Sequence, residues 1–143
     1  MTMNDYDRDF YAWTQNQGAH LRQHNPQHLD WENLAEEIEA MGRQERKELI
    51  NRLRVLLGHL LKWHYQPQNR SSSWEATIAV QRDDIADLLR DNPSLKAFLG
   101  EAFTDGYKKG RLLAIAETNL PAKTFPIDPP FDLDYALNTE IEQ

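Results

Sequence analysis

Apolar residues recur along most of this chain at steps of three and four, which places them on one side of an α-helix; no stretch shows the strict alternation of a half-buried strand. The clearest pattern runs over residues 43–66. There Leu49, Leu53, Leu56, Leu60 and His64 form one stripe, widened by Ile50, Leu57 and Leu61 on one side and by Trp63 on the other. A weaker amphipathic helix covers residues 5–22 with Tyr6, Phe10 and Trp13, and Pro26 then breaks the chain. Asp30 is a good N-cap for the next segment, with Glu32, Glu36 and Glu37 near its positive end. Trp31, Leu34, Ile38 and Met41 follow helical spacing there, and Gly42 either ends or bends the helix.

Pro67 and the polar run 68–73 predict a loop, and Ser72 with Glu75 predicts a capping box opening a helix with Trp74, Ile78, Ile85 and Leu88 on one face. Asn92 and Pro93 punctuate again, as N-cap and first helical residue. The helix expected over 93–118 carries Ala102, Gly106, Gly110 and Ala114 at four-residue intervals. An interior glycine costs a helix about 1 kcal/mol relative to alanine, so two on one stripe imply close approach by another backbone. Beyond Leu120, Pro121, Pro126, Pro129 and Pro130 predict an extended tail pinned by Phe125 and Phe131. The expected architecture is all-α: one domain over 1–143, a compact bundle of about five helices with the tail 121–143 packed on it.

Composition narrows the function classes. At 143 residues, with 40% hydrophobic and 27% charged residues, the chain is long enough and apolar enough to bury a core. It has no cysteine, which removes disulfides, thiolate ligands and a Cys nucleophile. The formal charge of −7 disfavours non-specific nucleic-acid binding, which depends on phosphate neutralisation by Lys and Arg. The first ten residues carry no basic segment followed by an apolar one, and no apolar run approaches the roughly 20 residues of a membrane span; a cytoplasmic location is expected.

Several stretches together carry a resemblance: Leu-Ala-Glu-Glu-Ile-Glu-Ala-Met-Gly at 34–42, His-Leu-Leu-Lys-Trp at 59–63 and Ser-Trp-Glu-Ala-Thr-Ile at 73–78. Asn-Pro-Ser-Leu at 92–95, Glu-Thr-Asn-Leu-Pro at 117–121 and Phe-Pro at 125–126 extend it over nearly the whole chain. The sequence resembles a bacterial family of unknown function, number 29 in the domain-of-unknown-function series and common in photosynthetic bacteria. The resemblance implies a helical domain standing alone. It brings no activity and no catalytic residues.

Candidate chemistry lies mainly on the long central helix. With Leu53 as zero, His64 falls at about +20°, inside the apolar arc, and a His64–Gln81 or side chain–backbone hydrogen bond fixing helix register is expected. Glu45, Glu48, Arg52, His59 and Trp63 fall within a band of roughly 60° beside that arc. Glu48 and Arg52 are an i,i+4 pair, with Arg52 and His59 two turns apart on the same side. An Arg that grips phosphate and a His that moves a proton suit RNA cleavage through a 2′-hydroxyl. The pair resembles the Arg-x(4–6)-His motif of the helical HEPN ribonucleases, although Leu53 follows Arg52 where a polar residue is common. Arg54–His59 also fits the spacing but lies about 140° apart around the helix. Glu37, at the border of its apolar face, is expected to find a cation among Arg52, His59, Lys62, Arg70 and Arg82; contact with His59 would couple their titrations.

His20, His24 and His28 would share a metal face on a single helix, which Pro26 opposes, and no Glu-x-x-His pair is present, so neither metal nor cofactor is expected. Residues 30–39 hold five acidic and no basic side chains, whereas 43–54 hold five basic and two acidic ones, and such runs can pair with each other or with a second copy. The sequence favours a non-catalytic protein–protein interaction or regulatory module, self-associating or bound to a protein partner. The alternative is a metal-independent ribonuclease or toxin using Arg52 and His59, with Glu48 or Glu37 orienting the imidazole.

Overall fold

The structure, a computed structural model, describes residues 5–142; the first four residues, on which the reading of an absent leader partly rests, and Gln143 lie outside. Six α-helices are present among the described residues, and no strand: α1 (Asp5–Arg8), α2 (Phe10–Arg22), α3 (Trp31–Tyr65), α4 (Ser72–Asp91), α5 (Leu99–Thr118) and α6 (Leu133–Asn138). The residues up to 44 form one unit and those from 45 onward a second, and α3 contributes to both. No described helix is long and apolar enough to cross a membrane.

In the first unit, α2 starts where the Asp9 side chain accepts from the Ala12 N–H. It ends in a Schellman arrangement, with Asn25 N–H donating to the His20 carbonyl and His24 N–H to that of Leu21. His24 occupies the left-handed position at φ 57°, where glycine is the usual residue. Gln17 then fastens the next turn. Its amide donates to the His28 carbonyl, and its Oε1 accepts from the Asp30 N–H at 2.8 Å. Asp30 caps α3, accepting from Asn33 N–H, and also takes the Trp13 indole N–H at 3.0 Å. These bonds tie α2 to the side of α3 that carries Asp30 and Glu37.

The second unit is built on α3. Leu49, Leu53, Leu56, Leu57, Leu60 and Leu61 are completely buried, as the stripe predicts, and Ile78, Ile85, Ala102, Ala114 and Phe125 close the same core. The small-residue stripe of α5 meets the α3 backbone. A Cβ on Gly106 would stand 2.8 Å from Leu53 Cβ, and one on Gly110 would stand 2.8 Å from the Arg54 carbonyl oxygen and 2.9 Å from Gly58 N. Gly58 completes the contact from the other side.

Four local expectations change. Gly42 neither ends nor interrupts α3, which runs 35 residues through it. Ser71, not Ser72, caps α4, accepting from Trp74 N–H. Asn92 closes α4 through a bond to the Leu88 carbonyl, and residues Pro93–Phe98 form a 3₁₀ turn before α5 begins. The tail is not wholly extended: beyond Pro130 no proline remains, and Asp132 caps the short α6 by accepting from Tyr135 N–H.

Two substitutions test these backbone constraints by chemical denaturation. His24→Gly should raise stability by about 1 kcal/mol by relieving the left-handed residue. Gly110→Ala should lower it by about 1–3 kcal/mol despite alanine's better helix propensity, because the added methyl meets backbone rather than a movable side chain.

Candidate functional site

Arg52 and Glu48 form the i,i+4 bridge that the spacing predicts, Nη2 to Oε1 at 2.8 Å. The guanidinium also reaches α4, where Nη1 stands 2.8 Å from Asp84 Oδ2 and 3.5 Å from Gln81 Oε1. Two carboxylates therefore share one cation at a half-buried position on the outer side of the α3–α4 pair. Gln81, expected to bond His64, serves Arg52 instead.

His59 is half-buried on α3, with Nδ1 2.8 Å from the Val55 carbonyl one turn earlier. That bond makes Nδ1 the donor and leaves Nε2 as the basic nitrogen. Burial, joined by the charge of Lys62 and opposed by the Val55 carbonyl and Glu117, holds the imidazole below its ordinary value of 6.5. His59 is thus neutral at physiological pH. Glu37 meets none of the candidate cations among the described residues; it accepts a hydrogen bond from the Tyr6 hydroxyl, and that bond, with desolvation and nearby carboxylates, pushes the phenol up to about 12. Glu37 and His59 lie on one helix, 22 residues apart, about 33 Å along an ideal axis.

The other candidate cations are engaged elsewhere. Lys62, only 5% exposed, donates to Glu117 at 2.7 Å and sits over the Trp74 ring. Arg70 stacks on Trp63, and it donates to the Trp63 carbonyl. Arg82 donates to the carbonyls of Ala136 and Tyr135. His64 is exposed rather than core, and its Nε2 stands 2.7 Å from the Tyr135 hydroxyl. The turn at Pro26 brings His20 and His28 face to face at 4.9 Å although no helix spans both. Among the described residues no three His, Asp or Glu side chains are grouped to hold a metal.

A second feature belongs to the first unit. Trp31, Ile38 and Met41, expected on a buried face of α3, are 63%, 63% and 61% exposed, and Leu34 is half-buried. The reason is geometric: α2 engages Asp30 and Tyr6 of α1 engages Glu37, and Trp31 and Ile38 lie about 100° round the helix from those two residues. Ala35 and Gly42 share the same arc and are exposed, and a Cβ on Gly42 would meet nothing within 4 Å. This bare face is the largest feature of the sequence pattern that its own unit leaves unpaired.

These elements define a strand-free helical protein, with one polar network on its central helix and one uncovered apolar helix face. The chain belongs to the family described as "Domain of unknown function DUF29", whose model matches residues 6–141. No curated protein and no solved structure matches the chain.

The depressed imidazole makes a pH test of the His59 environment. Below pH 6.5 the unfolded chain takes up a proton that folded His59 resists, so this residue's contribution is intact above 6.5 and is lost as pH falls towards the folded value. Urea unfolding at about pH 7.5 and about pH 5.5 should show a smaller loss of stability in His59→Gln than in the wild type.

Proposed function

We propose that this chain is a non-catalytic interaction module that self-associates through the uncovered face of α3 over residues 31–44. The observation that carries the reading is the exposure of Trp31 and Ile38 on one arc with Ala35 and Gly42. A helix normally buries its apolar stripe against a second element. Small residues on the same arc would let another helix approach closely, and nothing among the described residues makes that use of Gly42.

A second copy fits the charges along this helix. Five acidic residues over 30–39 precede five basic ones over 43–54, so an antiparallel two-fold crossing between the two stretches sets the acidic stretch of each copy beside the basic stretch of the other. Arg43 pairs with Glu36 in a bridge whose two side chains are both more than half exposed. Such a bridge contributes little and exchanges readily. The ribonuclease reading has less support, because Arg52 would have to leave both Glu48 and Asp84 before gripping a phosphate.

Sedimentation equilibrium of the purified chain should give a concentration-dependent dimer. Ile38→Glu should weaken it at least roughly tenfold by burying charge at the crossing, with helix content unchanged. A wild type that stays monomeric at every concentration, or a dimer indifferent to Ile38→Glu, would sink the proposal.

A further inference from the structure

A cleft of about 480 Å³ opens in the second unit where the tail crosses the end of α3, lined by His64, Tyr65, Pro130, Phe131, Asp132 and Tyr135. Its volume lies in the range of small-molecule sites, and four of its six residues present rings. Three of those rings form a nearly equilateral triangle. Phe131 and Tyr135 have centroids 5.5 Å apart, His64 and Tyr135 5.6 Å, and His64 and Phe131 5.9 Å. They are inclined by 25°, 41° and 38° to one another, with Phe131 and Tyr135 stacked and His64 tilted against both, so the wall of the cleft is a compact aromatic cluster. Aromatic rings attract a cation that comes within about 6 Å of a centroid on an open face.

The charges at the cleft sort its ligands. Asp132 is the one formally charged residue in the lining. One of its oxygens, Oδ1, caps α6, and Oδ2 has no hydrogen-bond partner among the described residues. Partial desolvation of the ring, with Arg70 adding to it and Glu142 opposing it, holds the His64 imidazole below its ordinary value, so at neutral pH it brings no positive charge to the cleft. The nearest arginines do not line the cleft. Arg70 is turned to the carbonyls of Trp63 and Glu142, and Arg82 to those of Ala136 and Tyr135.

The polar tips of the triangle are also taken. The Tyr135 hydroxyl and His64 Nε2 satisfy each other at 2.7 Å, so the ring faces remain as the main recognition surface. A ligand that needs strong hydrogen bonds gains little here. An anion would face Asp132, and a neutral apolar group would bring no charge for Asp132 Oδ2 to meet. A compact cation without N–H donors matches every wall: it needs no hydrogen bonds, it is weakly hydrated, and it is attracted by both the ring faces and the carboxylate.

We propose that this aromatic cleft binds the trimethylammonium group of a small soluble molecule, with the cluster of His64, Phe131 and Tyr135 supplying aromatic surface and Asp132 the counter-charge. Specificity then rests on charge rather than shape, since a tert-butyl group has the same outline.

The test is an NMR titration that follows the His64, Phe131 and Tyr135 ring signals in the full chain. The probes are choline, tetramethylammonium, the neutral choline isostere 3,3-dimethylbutan-1-ol, and a short peptide carrying trimethyllysine. Both small cations should give saturable shifts, and the neutral isostere should bind about tenfold more weakly or worse. Asp132→Asn, which keeps an equally good helix cap, should weaken choline severalfold with the fold intact. Phe131→Leu should weaken it further. Equal binding of the isostere, no saturable shift with either cation, or an Asp132→Asn variant that binds choline as the wild type does would overturn the assignment. Tighter binding of the peptide than of choline would overturn the small-molecule source.

Discussion

The second unit depends on how closely α5 approaches α3. At Gly106 and Gly110 the space that a side chain would occupy is already held by the Leu53 side chain, the Arg54 carbonyl and the Gly58 amide. Helices in ordinary contact sit 8–10 Å apart, and only residues without a Cβ let backbones close within that range. The glycines weaken α5 as an isolated helix, by about 1 kcal/mol each. What offsets this is the complete burial of the leucines that the short distance seals on either side. The approach also sets how much room is left at the end of α3, where Lys62 must find a partner without water.

Lys62 shows how the polar groups follow from that packing. Its ammonium is brought against Glu117 and the face of Trp74 at a position with almost no exposure. A buried cation is tolerated only when paired, and removing the carboxylate is more damaging than replacing the whole pair with apolar groups. Farther along α3 the same economy divides Arg52 between Glu48 and Asp84, joining α3 to α4 with one guanidinium. The chemistry-bearing residues of the central helix are thus held mainly by one another.

The leucine stripe from 49 to 61 was legible because six fully buried side chains repeat a helical period, and the four-residue spacing of small residues announced a close backbone contact. Two residues on the same helix show where such reasoning stops. His64 lies about 20° from Leu53 on an ideal helix and is exposed, whereas Lys62 lies about 180° away and is buried. Angular position describes a helix with one covered side. Near its C-terminal end α3 is met by Glu117 from α5 and Trp74 from α4, and its last turn runs past the leucine core. For the candidate site, the Glu48–Arg52 bridge was readable as a local pair, but Asp84 and the Tyr6–Glu37 bond are 32 and 31 residues distant and left no trace in spacing. Continuation through Gly42 was equally invisible, since a glycine that ends a helix and one that a helix runs through look alike in one sequence.

Besides the core contacts of Phe125 and Ala136, the tail is held largely through its backbone. The Tyr107 hydroxyl donates to the Pro126 carbonyl, Arg111 to those of Phe125 and Ala122, Arg82 to those of Ala136 and Tyr135, and the Trp63 indole to that of Glu142. Every one of these donors belongs to α3, α4 or α5, and every acceptor is a group that all twenty amino acids possess. The address of the tail is therefore written in the helices rather than in the tail itself. Outside the buried Phe125 and Ala136, and Phe131, Leu137 and Ile141 where they pack on the core, its side chains are free to vary without losing their place, so those outward positions can be rewritten for a new ligand while the helices beneath stay as they are.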